Sequence, residues 1–176
     1  MKFFSAVVAS LSVFTLTSCS SVTKEDCAKD MREFGYDHGR KGLNSLIDDL
    51  RKTCGRDNPS LNLSAYESGL EAGWSEFCTP FNGYRMGAKG DLYKSLCPPE
   101  RENLFHERFL IGKKVYEKKD QVRELQEKIM DLSEDGRELT SPASREELSR
   151  YKNELRDLNK EIQGLEQSGM SNAHLN

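Results

Sequence analysis

GYDHGRKG occupies residues 35–42, and GYRMGAKG repeats it at residues 83–90. The copies share three glycines, a tyrosine and a lysine; they differ at Asp37 and His38, where the second has Arg85 and Met86. A phosphate-cradling loop would need GxxxxGK followed by Ser or Thr after an apolar strand, and neither copy has that spacing or that strand. Glycines four apart instead fall on one face of a helix, where absent side chains let a second backbone approach. Each helix-interior glycine costs roughly 1 kcal/mol against alanine, so tight packing or a special backbone angle must offset it at Gly35, Gly39, Gly83 and Gly87. Gly42 and Gly90 stand where a helix ends, with Lys41 and Lys89 just before them, near the negative end of the helix dipole.

The surroundings repeat as well. Cys27 precedes the first word and Cys54 follows it; Cys78 precedes the second and Cys97 follows it. A duplicated unit reading Cys, GYxxGxKG, Cys favours the bridges Cys27 to Cys54 and Cys78 to Cys97 among the three connectivities that four cysteines allow. Each such loop gains on the order of 3 kcal/mol in the chain-entropy picture, a useful sum for a small core. A weaker relative, YESGLEAGWSEFC, keeps Tyr66, Gly69 and Gly73, and a fainter one, FLIGKKVY, keeps Phe109, Gly112 and Tyr116.

Residues 1–18, MKFFSAVVASLSVFTLTS, combine Lys2 with an apolar run too short to span a bilayer and small residues before Cys19. That is the pattern of a cleaved secretory signal. Leu16, Thr17, Ser18 and Cys19 resemble the bacterial lipobox, which makes Cys19 the lipidated first residue of the mature chain, followed by a linker to residue 26. Buried methylenes contribute roughly 0.8 kcal/mol each, so the acyl chains of such a lipoprotein, palmitate among them, anchor firmly. Ser20 in place of Asp suggests, by resemblance to sorted lipoproteins, an outer-membrane protein facing the periplasm. An oxidising compartment agrees with an even set of cysteines. With no CxxC pair there is no zinc pattern, no cofactor is expected, and a formal net charge of -3 gives no basis for nucleic-acid binding.

From about residue 104 the chain becomes rich in Glu, Lys, Arg and Leu. Val115, Val122, Leu125, Ile129 and Leu132 fall on heptad steps, and so do Leu148, Tyr151, Leu155, Leu158, Ile162 and Leu165. Between them EDGRELTSPAS carries a helix-weakening glycine and two helix-start signals, so a turn is expected near residue 140. Partners on the two stripes share one constant sum of residue numbers, 280, as an antiparallel hairpin requires. Lys118 faces Ile162 in that register and is expected to run its stem over it with the ammonium in water. The fold class that follows is all-α: a disulfide-stapled, glycine-rich helical domain at 27–103, an antiparallel coiled-coil hairpin at 104–167, and a disordered tail at 168–176.

The stretch YESGLEAGWSEFCTPFNGYRMGAKGDLYKSLCPPE, preceded by FGYDHGRKG, resembles the DUF2799 family of bacterial envelope lipoproteins over residues 27 to about 116. CTPFNGYRMG is its most specific part. The family often has a Trp and an acidic residue near the first glycine word, where this chain has Phe34 and Asp37. The resemblance implies an envelope setting and no catalytic residue.

The remaining sites read as structure. Asp37 and His38 could suggest an acid and base, but adjacent helical residues point about 100 degrees apart and the second word lacks both. His106 and His174 stand alone. Tyr36, Tyr66, Tyr84, Trp74, Phe77, Phe81 and Tyr93 are expected to form a core, with a glycan or peptide groove as the alternative. Arg108, Lys113, Lys114, Lys118 and Lys119 interleave with acids and read as a solvated face. The expected function is non-enzymatic: an anchored envelope protein contacting another envelope protein or itself through the hairpin, or else a cell-wall binding module.

Overall fold

The computed structural model describes residues 22–55, 58–59, 61–134 and 142–170, and within them the regular structure is helical. The signal segment, Cys19, the turn near residue 140, and residues 171–176 with His174 lie outside the described residues. A 3-10 turn at Asp26–Ala28 leads into α1 (Met31–Arg40), followed by α2 (Ile47–Cys54), α3 (Leu63–Phe77), α4 (Pro80–Lys89), α5 (Pro99–Glu134) and α6 (Pro142–Met170).

Local chemistry sets the boundaries. The Asp30 carboxylate accepts the Glu33 N–H, Asn62 accepts the Ala65 N–H, and the Thr79 hydroxyl accepts the Asn82 N–H just ahead of Pro80. Both glycine words end in one and the same device. Gly42, at φ 65°, donates to the Gly39 carbonyl while Leu43 donates to His38; Gly90, at φ 77°, donates to Gly87 while Asp91 donates to Met86. This is the Schellman end, which places its residue in the left-handed region that glycine tolerates.

Each word packs on a helix that carries one of the weaker relatives. Gly35 lies against the backbone of Tyr66 and Leu70, and Gly39 against Leu70, Gly73 and Trp74. Numbers rise together along both helices, so α1 and α3 run parallel. The second unit repeats this: Gly83 meets Phe105, and Gly87 meets Phe109, Gly112 and Lys113, so α4 and α5 are parallel too. Parallel neighbours need a crossover that returns the chain to its starting end, and residues 41–62 and 90–98 supply one each. The disulfides Cys27–Cys54 and Cys78–Cys97 tie the start of each unit's first helix to the returning end of its crossover.

The correspondence extends to side chains. The Phe77 ring sits over Gly42 as the Tyr116 ring sits over Gly90, and Gly73 in α3 occupies the place of Gly112 in α5. Each unit has its own core, one around Met31, Leu50, Tyr66 and Leu70 and the other around Tyr84, Val115 and Ile162. The Phe77 and Phe105 rings, 5.8 Å apart, and a bond from Arg101 to the Ser75 carbonyl at 2.5 Å join the units.

Helix α6 runs antiparallel to α5: Arg108 donates to the Ser168 carbonyl at 2.6 Å, and Lys118 pairs with Glu161. The Lys118 ammonium is therefore held by a carboxylate across the seam rather than left to water. Two boundaries shift from the sequence reading. The change of composition at 104 falls inside α5, because no breaker interrupts residues 99–134 and one helix serves both the second unit and the hairpin. Residues 168–170 belong to α6 rather than to a tail, because Gly169 seats against the Tyr84 ring and the Ser168 carbonyl takes Arg108.

Candidate functional site

The glycines singled out by sequence are interface positions. A Cβ on Gly35 would lie 2.1 Å from the Tyr66 carbonyl oxygen, on Gly69 1.9 Å from that of Arg32, on Gly73 2.3 Å from that of Tyr36, and on Gly87 2.0 Å from that of Phe109. Backbone meets backbone, a geometry that favours Cα–H contacts to carbonyls and leaves no space for a ligand between the paired helices.

Asp37 and His38 border one cleft but are engaged by different partners. Asp37 accepts from Arg40 at 2.7 Å on the surface, and this hydrogen bond holds its carboxyl below the usual range. His38 turns inward, with its ring 4.3 Å from Phe34 and Nδ1 3.1 Å from the Tyr66 hydroxyl. The Tyr66 oxygen accepts the Leu46 N–H at 3.1 Å, so the assignment that satisfies all three groups has Tyr66 donating to a neutral His38. Burial, followed by the charge of Lys41, lowers the His38 pKa, and burial raises that of Tyr66. The network fastens the start of the first crossover to α3, as does the Trp74 indole N–H on the Leu43 carbonyl at 3.0 Å. A cleft of about 300 Å³ opens beside it, lined by Val22, Asp26, Lys29, Phe34, His38 and Lys41 among others. Of its two carboxylates Asp26 is bound to Lys29 at 2.6 Å and Asp37 to Arg40, and its imidazole Nδ1 is engaged with Tyr66.

In the second unit Tyr93 does the fastening. Its ring stacks on His106 at 4.4 Å and lies 5.2 Å from Phe109, and its hydroxyl donates to Glu102, which also accepts from Ser95 at 2.9 Å. The aromatic set is thus divided between units: Tyr66 is fully buried in the first core, Tyr84 is buried in the second, and Phe81 is 46% exposed. Among the described residues no group of three or more His, Cys, Asp or Glu is placed to hold a metal ion.

Sequence reasoning set Arg108 on a solvated face, yet it is 6% exposed. It stands where α3 has Gly69, four residues before the shared glycine, and its guanidinium reaches the last turn of α6. A cation there complements the negative end of the α6 dipole. The signal available in the sequence was that one substitution, Arg for Gly, in an otherwise matching segment.

The disulfide-clipped pair of parallel helices, used twice, coincides with a family match. Residues 30–114 fit the model of a protein of unknown function, DUF2799. These residues belong to the DUF2799 family. The match covers α1 to α4 and the part of α5 that packs on α4, so the DUF2799 region is the two glycine-paired units. No curated protein and no solved structure matches the chain.

Proposed function

We propose that this DUF2799 protein is a non-enzymatic, lipid-anchored component of the bacterial envelope, facing the periplasm from the outer membrane, whose hairpin arm binds protein. The observation that carries this reading is the seam between α5 and α6. Leu125 is buried, but Ile129, Leu132, Leu148 and Tyr151 are only half-buried. Two helices cover one side of such a stripe, and a further helix would remove the rest from water at roughly 25 cal/mol per Å² of apolar surface.

The anchor fits the first unit. Val22 is 6% exposed within the core around Met31 and Leu50. It lies three residue steps after Cys19, a reach of at most about 10 Å, so a lipid on Cys19 would hold the first unit against the bilayer surface. The second unit and its arm would then carry the exposed seam.

The test is photo-crosslinking in intact cells from a benzophenone side chain placed at Leu132 or Tyr151. Discrete adducts from these seam positions, absent when the group replaces Asn153 on the outer face, are expected; no adduct from either seam position would remove the reading. A Cys19→Ser chain is expected to leave the membrane fraction.

A further inference from the structure

Helix α4 ends against Tyr116, and from there α5 and α6 continue as an arm of two helices. Its two open faces differ in charge. Lys118 with Glu161 marks one edge of the seam, and Lys119 with Glu166 at 2.7 Å marks the other. On α6, steps of seven from Glu161 reach Glu154 and Glu147, while α5 presents Gln121 and Lys128 on that same edge. This first face is cationic on α5 and anionic on α6. Steps of seven from Glu166 reach Asn159, Lys152 and Arg145, while a step of seven from Lys119 reaches Gln126, so the second face carries both signs on α6.

We propose that the arm's partner is the arm of a second copy, packed through the first face into a four-helix bundle. A two-fold axis along the arm lays α6 of each copy over α5 of the other, bringing Glu147, Glu154 and Glu161 onto the edge that carries Lys118 and Lys128. An axis across the arm would lay α6 on α6, acid over acid, and the mixed second face has no such division of sign between its helices, so charge favours the axis along the arm. Both arms then point the same way, as copies anchored in one membrane require, and the half-buried seam is covered on its open side.

The proposal rests on reading the arm as an interaction surface, and its test separates the two. Sedimentation of the full chain in detergent should give twice the chain mass. Gln121→Glu with Lys128→Glu should reduce it to the single mass, as should Glu147→Lys with Glu154→Lys, with helical circular dichroism retained, and mixing the two variants should restore the double mass. A spin label on Lys128→Cys should report a distance between copies in the otherwise native chain. A wild-type chain that stays at single mass, a mass indifferent to both charge reversals, or a label without inter-copy coupling would overturn self-pairing. Crosslinks from Leu132 to a different protein in such a monomer would leave the interaction reading standing.

Discussion

Gly39 and Gly73 bring two parallel helices into backbone contact: a Cβ on either residue would come within 2.8 Å of the Cα of the other. The nearest obstacles to those Cβ atoms are carbonyl oxygens, Leu70 at 2.2 Å and Tyr36 at 2.3 Å, and main chain cannot rotate aside as a side chain can. Gly39→Ala or Gly73→Ala must therefore push α1 off α3. Each is expected to cost roughly 3 kcal/mol, the upper end for overpacking, read as a lowered denaturant midpoint of the first unit.

Gly164 provides the opposite case. It lies inside α6 with no atom within 4 Å of a built Cβ. Gly164→Ala should stabilise the chain by about 0.5 to 1 kcal/mol through helix propensity and a less flexible unfolded state. Loss of stability on that substitution would mean that the open face of α6 is occupied.

The ends of the two words should behave alike. Alanine at Gly42 or Gly90 must adopt the left-handed region, at roughly 1–2 kcal/mol, and displace the ring of Phe77 or Tyr116. Thermal melts of the two variants are expected to fall by similar amounts, with hydrogen exchange rising in the first crossover for Gly42→Ala and in the second for Gly90→Ala.

The first unit should be sensitive to acid. The pKa of His38 is depressed in the folded chain from its ordinary value of 6.5, chiefly by burial, with Lys41 and Lys29 opposing protonation and Asp26 and Asp37 favouring it. Between the folded and unfolded values the unfolded chain binds more protons, so stability is complete above about pH 6.5 and declines as pH falls through the window below it. His38→Met, which installs the residue of the second word, is expected to flatten that decline in a melting-temperature profile from pH 7.5 to 5.

Much of this fold was legible because the glycine pattern carries a physical demand. Two glycines four apart with no ligand loop require a close neighbour, and the heptad stripes require each other at a constant register. What the sequence left open was which segments pair. YESGLEAGW and FLIGKKVY read as fading copies of the word because both partners in a close helix contact need the same small face, so likeness between partners looks like likeness between repeats. Parallel packing was hidden for a related reason, since composition does not state direction and the crossovers at 41–62 and 90–98 have no common sequence. Arg108 was misplaced among exposed lysines because its partner, the Ser168 carbonyl, is a backbone group sixty residues away that no side-chain pattern announces.

The most direct test of the duplicated unit is the disulfide map of the oxidised chain. Proteolysis without reduction followed by mass spectrometry should yield one bridged peptide pair containing Cys27 and Cys54 and another containing Cys78 and Cys97, each closing its own parallel helix pair. A peptide pair joining Cys54 to Cys78 would link the two units instead and contradict the account.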